Sequence, residues 1–461
     1  MGAKKFYYGV ITLYVILVYA FYPAFHLTVN ATPQALYQYL TQSLLAGHLD
    51  IGILPSIELL QLPDPYDPLQ NRPFRMHDAS LFQGKYYLYF GLLPVIFFHL
   101  PFSLLTGLYA SEGLVVFSFL SLAFMVGFKL LFKIKEDYFP TLPQWQLGLA
   151  GLLLSFANGV TVLFSVPRVY ESAIASAFCF MMIAFYFLYR FIHDYRTRDL
   201  GLFSLSLALT VAGRPHFALV VVILISLIFV YLNYQTTNDK TRMLVALLIP
   251  PLFVAVILGS YNYLRFGSVL DFGHIWQLSC NNIKDLYSEL SQISKIPRNF
   301  CYSFYFYFLQ PITLSLKFPY FGLRMHHCTH FIDKDYFFEA VGGVFLTTPL
   351  IVLVLALPKM LMSYFKEQKT KRPLVWFLAF LLLVSIVNVL ILLSLPFAIQ
   401  RYNVDFLPYL VFLAIVCFWM IEDSYKASRL ILLLRVFFVG SSVMAIILGL
   451  CFALIYWVFK N

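Results

Sequence analysis

Charge is what this 461-residue chain has least of: Asp, Glu, Lys and Arg together make up 12% of it, against 61% hydrophobic and 19% aromatic residues. About a quarter of an ordinary soluble chain is charged, and half of that leaves too little polar surface to face water. The mean hydropathy of +0.79 agrees. A soluble enzyme, a nucleic-acid binder and a disordered scaffold are therefore excluded as the main reading, and the chain is an integral membrane protein. Cysteine is scarce too. Of the six, Cys179, Cys417 and Cys451 lie in apolar runs, while Cys280, Cys301 and Cys328 lie outside them, so one bridge at most joins two of the last three. No Walker motif or phosphate-cradling glycine loop occurs, which excludes a nucleotide-binding domain. No internal repeat occurs, so the matched halves common in secondary transporters are missing.

What remains is a series of apolar runs, each near the roughly 20 residues that a bilayer requires. They are Tyr8 to Phe25, Glu112 to Phe132, Leu147 to Val166, Ser172 to Phe191, Phe203 to Tyr234, Leu244 to Tyr261, Gly342 to Leu357, Leu374 to Leu395, Phe406 to Ile421 and Leu430 to Phe459. The fifth is too long for one pass, and Gly213-Arg214-Pro215 combines a flexible residue, a charge and a helix breaker. Splitting it there gives an all-α polytopic protein of about eleven transmembrane helices. The first run is longer than a secretory signal core and lacks a small-residue cleavage site after it, so it reads as an uncleaved anchor.

Positive charge sets the orientation. With the amino terminus inside, every short inner loop is basic, from Lys4 and Lys5 through Arg190, Arg196 and Arg198 to Lys366, Lys369, Lys371 and Arg372. Arg435 is left near the inner end of the last run, where it snorkels. The chain then forms one membrane domain over 1–461, with a first outer loop at 26–111 and a second outer segment at 265–341. Within the first, Leu88 to Gly107 is interrupted by Pro94 and Pro101 and is expected to form a juxtamembrane hairpin that does not cross.

The outer segments hold the residues that can do chemistry. Asp64 and Asp67 lie in Leu62-Pro63-Asp64-Pro65-Tyr66-Asp67-Pro68, and Asp78 precedes GKYYLYFG at 84–91. A carboxylate held against the bilayer among aromatic rings suits a general base; equally, Asp-Pro repeats start turns and Asp78 caps a helix. Arg214 at the split and Arg401 at the exit of the ninth helix suit an anionic phosphate, whereas an ion pair with an outer carboxylate or simple interfacial anchoring explains them as well. Arg168 and Glu171 flank Tyr170, where local pairing is the alternative to a substrate role. Arg265 reads as a helix-end anchor. His326-His327-Cys328-Thr329-His330, with Asp333 nearby, is the only metal-like grouping, and it lacks a standard zinc spacing. No metal or cofactor is expected. The aromatic stretches Tyr302 to Phe308 and Phe318 to Phe321 read as an interfacial belt.

The order of these features resembles the GT-C superfamily of polyprenyl-phosphate-sugar-dependent glycosyltransferases, of the protein mannosyltransferase and lipid A aminoarabinose transferase types. A first helix, an acidic outer loop and GKYYLYFGLLP leading to a proline-rich hairpin carry the likeness. It continues in ValTyrGlu at 169–171, GlyArgPro at 213–215, YNYLRFGSVLDFG at 261–273 and ArgTyrAsnValAspPhe at 401–406, over nearly the whole chain. The resemblance implies a GT-C-like fold in a bacterial inner membrane and an active face turned outward. It also implies inverting transfer of a sugar from a polyprenyl-phosphate-linked donor to a lipid, glycan or protein acceptor; a lipid-linked-sugar flippase is the alternative. Many members carry an Asp-Glu pair just after the first helix. Here that stretch is Thr28-Val29-Asn30-Ala31-Thr32-Pro33, without a carboxylate. The base role therefore moves to Asp78, then Asp67, with Asp64 behind them. Arg214 and Arg401 are expected to hold the donor phosphate, Arg214 more strongly. Tyr66, Tyr87, Tyr170, Glu171 and Tyr402 are the expected substrate contacts.

The topology is directly testable. Single cysteines placed at Gln70 and at Lys369 should react with an impermeant thiol reagent from opposite faces of the membrane, and labelling from one face at both positions contradicts the scheme.

Overall fold

The computed structural model describes residues 2–21, 35–157, 159–234, 239–285, 293–314, 316, 321–322, 336–367, 369–425 and 430–458. The apolar runs fold as helices because a helix satisfies its backbone hydrogen bonds internally, where hydrocarbon offers no partner. In chain order they are α1 (Gly2–Phe21), α2 (Leu36–Leu45), α3 (Glu112–Tyr138), α4 (Gln144–Phe156), α5 (Val169–Asp194) and α6 (Thr197–Gly213). There follow α7 (Phe217–Tyr234), α8 (Lys240–Phe266), α9 (Leu357–Glu367), α10 (Arg372–Ser394), α11 (Leu407–Ser424) and α12 (Leu430–Val458). Among the described residues, 7 helical stretches are long and apolar enough to cross a membrane.

Burial separates the centre from the rim. The spans of α5 and α11 are each 78% buried by their neighbours, whereas that of α8 is 22% buried. α8 thus presents its Leu248, Leu252, Phe253 and Val256 to the lipid. The centre is dense with aromatic rings and small residues; Trp419 and Phe185 are fully buried, as are Ala173 and Ala177. A Cβ on Gly213 would lie 3.0 Å from that of Ala177, so the small residues let the end of α6 lie directly on α5.

Two features depart from the expected rods, and a third concerns the juxtamembrane segment. The run 147–166 breaks after α4 into a 3-10 stretch, Val160–Phe164, and the run 342–357 is largely 3-10, Pro349–Ala356. The split at Gly213-Arg214-Pro215 is present, but α6 begins at Thr197 rather than Phe203 and has 17 residues. At 1.5 Å per residue it is about 26 Å long, close to the thickness of a bilayer core, and Arg214 follows at its end. Finally, the helical part of Leu88 to Gly107 comprises a π-helical stretch of 5 residues, Val95–His99, and 7 α-helical ones, Leu100–Thr106. About 18 Å of helix is too short to cross a core of about 30 Å.

Charges inside the bundle are paired at the basic pole. Arg190 reaches Asp199 at 3.2 Å and Lys371 reaches Asp423 at 3.0 Å. Arg435 does not merely snorkel. Its Nη2 lies 2.7 Å from Oε1 of the fully buried Glu422, whose Oε2 accepts from Gln146 Nε2 at 2.7 Å. Cys280 and Cys301 are free thiols; Cys328, the histidine cluster with Asp333, and Asn30-Ala31-Thr32 lie outside the described residues.

Candidate active site

At the pole opposite those pairs lies a cavity of about 1300 Å3. α5 starts on its wall, with Tyr170 and Glu171, and runs to the basic pole at Arg190. The first outer loop, the Val160–Phe164 break, the second outer segment and the connection between α10 and α11 complete the wall.

Asp78 is the best-held carboxylate in it. A two-stranded hairpin follows it, β1 (Ser80–Phe82) and β2 (Lys85–Tyr87), paired Ser80 to Tyr87. Gln83 and Gly84 turn it with φ of +48° and +73°, the two left-handed residues of a type I′ turn. The hairpin continues to Gly91, where a Cβ would stand 2.0 Å from the carbonyl oxygen of Ala212. Only glycine lets that strand rest on the end of α6. Asp78 itself has φ of +67°, a conformation that aspartate tolerates better than most residues. Its N–H donates to the Leu278 carbonyl at 2.9 Å, and Leu278 N–H donates back to Ala79 at 2.9 Å. The two outer segments are thereby stitched together. Gln277 Nε2 donates to Asp78 Oδ1 at 2.8 Å and the Tyr170 hydroxyl donates to Oδ2. His77 Nε2 stands 3.6 Å from Oδ2. Asp78, expected to cap a helix if it did nothing else, caps none; it is 7% exposed and turned into the cavity wall.

Asp64 and Asp67 also line the cavity, but their oxygens are engaged by the chain beside them. Asp64 Oδ1 accepts from Tyr66 N at 3.0 Å, the turn that an Asp-Pro sequence favours. Asp67 caps the short helix Pro68–Asn71, accepting from Leu69 N at 2.9 Å and Gln70 Nε2 at 2.7 Å.

The two arginines separate. Arg401 lines the cavity, with Nη1 at 3.3 Å from Glu339 Oε2 and Nε at 3.9 Å from Glu171 Oε1. Its guanidinium lies 4.6 Å from the centre of the Tyr170 ring. Burial pulls its pKa down, while Glu171 and Glu339 more than offset this, so it stays protonated. Its Nε is buried without a hydrogen-bond partner, as is that of Arg214. Arg214 is outside the lining. Its Nη2 is 2.6 Å from Oδ2 of the buried Asp405, and its guanidinium stacks 4.4 Å above the ring of Tyr402. The ion pair offered above as the alternative for Arg214 is therefore what the structure contains.

Tyr170, Glu171 and Tyr402 line the cavity, whereas Tyr66 and Tyr87 do not. The Tyr66 hydroxyl donates to the Leu81 carbonyl at 2.8 Å, and the Tyr87 ring packs on Phe266 at 5.4 Å. Arg265 is more than an anchor, since its Nη1 donates to the Leu88 carbonyl at 2.6 Å and ties α8 to the hairpin exit. Sequence reasoning missed Glu339, His274 and Gln277, all on the wall. The last two follow directly on the quoted YNYLRFGSVLDFG segment, the one signal that pointed near them. Among the described residues no group of three His, Cys, Asp or Glu side chains is arranged to hold a metal.

No family model and no curated protein sequence matches the chain. Among solved structures, the oligosaccharyltransferase of Archaeoglobus fulgidus in its apo form is 12% identical and superposes with a TM-score of 0.48. The same archaeon's oligosaccharyltransferase AglB, in complex with an inhibitory peptide and a dolichol-phosphate, is 12% identical with a TM-score of 0.45. In both, the match covers 98% of this chain and 56% of the other.

His274 supplies a pH test of this wall. Burial holds its imidazole down at about 4, with its bond to Gln277 and the charge of Asp78 opposing. The unfolded chain therefore takes up a proton near pH 6.5 that the folded chain refuses until about pH 4, and stability falls as pH drops through that window. The full effect is about 3 kcal/mol. The melting midpoint of the protein in nanodiscs should fall between pH 7 and pH 5, and His274→Gln should remove part of the fall. An equal fall in both would disconnect His274 from folding.

Proposed function

We propose that this chain is a GT-C-type glycosyltransferase that moves a sugar from a polyprenyl-phosphate-linked donor to a lipid, glycan or protein acceptor on the non-cytoplasmic side of the membrane. One observation carries the reading: a buried carboxylate, Asp78, and a cavity-lining guanidinium, Arg401, meet on the same Tyr170 side chain, the first at its hydroxyl and the second over its ring. They supply the two functions that such a transfer requires, a proton acceptor for the nucleophile and a cation for the departing phosphate.

In this reading the acceptor's O–H or N–H approaches Asp78, which takes the proton as the new bond to the anomeric carbon forms. The bond from that carbon to the lipid phosphate breaks, and its electron pair leaves with the phosphate towards Arg401. A single displacement from the face opposite the phosphate inverts the anomeric configuration, and one base is all that it needs. Each Asp78 oxygen accepts one strong donor and retains a further acceptor direction for the nucleophile. Glu171 and Glu339 hold Arg401 at 3.3 to 3.9 Å, longer than the best ion pairs, so a phosphate can compete for it. Arg214 is assigned the supporting task of fixing Tyr402 against Asp405. The protein mannosyltransferase and aminoarabinose transferase types remain equally compatible with these residues. A flippase reading is less well supported, because the ion pairs described above gather at two poles and do not form a route across the bundle.

Two measurements test this. Asp78→Asn keeps size and polarity but removes the proton acceptor, so transfer should fall about a hundredfold while donor binding persists, and Asp67→Asn should change it far less; near-normal turnover in Asp78→Asn removes Asp78 from the chemistry. Binding of a polyprenyl phosphate in nanodiscs should weaken about tenfold or more in Arg401→Ala, with Arg401→Lys intermediate. Unchanged affinity in a folded Arg401→Ala protein would contradict the phosphate assignment.

A further inference from the structure

Gln277 stands where nothing in the sequence marked chemistry. It is 6% exposed, it lies on the stretch Gly273–Leu278, and four contacts pin that stretch across the first outer loop. Asp78 N–H donates to Leu278 O and Leu278 N–H to Ala79 O, each at 2.9 Å; Ser80 pairs with Gln277 in an antiparallel bridge; and Ser80 Oγ donates to Gly273 O at 2.8 Å. The backbone of Gln277 is therefore held against the chain that carries Asp78. Its side chain is held as well, by Asp78 Oδ1, beside His274, whose ring lies tilted against that of Tyr89 with centroids 4.8 Å apart. Nε2, the donor end of the amide, is the atom that faces the carboxylate.

We propose that Gln277 is the positioning residue of Asp78: its amide N–H fixes the rotation of the carboxylate, so that the base is aimed before an acceptor arrives. This inference rests on the reading of Asp78 as the proton acceptor. A hydrogen bond to the charged form lowers a carboxylate's proton affinity, and a fixed rotamer presents the same lone pair at every encounter. The other titratable groups facing Asp78 are His77 beside it, Tyr170 at the head of α5, and His274 and Tyr89 on either side of Gln277, with Arg401 behind Tyr170. Of these only Tyr170 is shown donating a hydrogen bond to the carboxylate directly, and Gln277 donates the other without a proton of its own to lose at physiological pH.

The test reads Asp78 itself in the full chain and requires no substrate. In nanodiscs, the infrared carboxyl band lost in Asp78→Asn is titrated against pH. Gln277→Met, close in shape but without a donor, should raise the midpoint of that band by about one pH unit. Gln277→His, which restores an N–H at similar reach, should bring it back towards the wild-type value. Gln277→Glu keeps size and polarity and places a second carboxylate against the first, so it should raise the midpoint further; it carries the test if Gln277→Met does not fold. An unchanged midpoint in a folded Gln277→Met or Gln277→Glu protein overturns the proposal. Its failure is distinct from failure of the functional reading: normal transfer by Asp78→Asn refutes the base while leaving the shift intact. An unshifted band in a protein that needs Asp78 refutes only the role of Gln277.

Discussion

A carboxylate cannot be taken out of water at the mouth of a membrane bundle unless donors replace the water that it loses, and the outer architecture of this protein follows from how Asp78 meets that requirement. Its donors come from chain regions far away, Tyr170 from the head of a central helix and Gln277 from a segment 199 residues on. For those groups to meet, the hairpin at 80–87 must rest on the end of α6, which Gly91 permits, and the second outer segment must cross the first, which the pairing of Ala79 with Leu278 secures. The same contacts close one wall of the cavity. Folding the outer loops and building the site are thus one event.

The arginines obey the converse rule. A guanidinium in a low-dielectric setting takes the nearest carboxylate, and how tightly it does so decides what else it can bind. Arg214 closes on Asp405 at 2.6 Å and stacks on Tyr402, so its charge is spent within the fold. Arg401 lines the cavity and is held by two carboxylates at longer range. Of the two, Arg401 remains available to a phosphate. The pairing at the opposite pole, Arg435 with Glu422, belongs to the first kind.

Much of this was legible in the sequence, and the division is physical. Hydropathy and the placement of basic loops depend on the bilayer, which acts on every residue alike, so most of the helical runs and the break at Gly213-Arg214-Pro215 could be read directly. Local chemistry was legible too: Asp64 and Asp67 make the turn and the cap that their prolines announce. Contacts that span the chain were not. The partner of Arg214 lay in the quoted segment 401–406, but nothing in either segment joins them. Gln277, His274 and Glu339 carry no local pattern, and only the folded chain brings them to the wall. The start of α6 was misplaced because Thr197 to Leu202 contains two charges, which hydropathy reads as loop although Asp199 is buried and paired with Arg190.

The central claim is that one outward cavity receives the lipid phosphate at Arg401 within reach of the Asp78 carboxylate. It is tested most directly by a cryo-electron microscopy structure of the full chain in nanodiscs with a polyprenyl monophosphate bound. The account predicts phosphate density within hydrogen-bonding distance of Arg401, inside the cavity lined by Tyr170 and Asp78, with Arg214 still closed on Asp405. Density among the lysines and arginines of the opposite pole, or against Arg214 with Arg401 still held by Glu171 and Glu339, would contradict it.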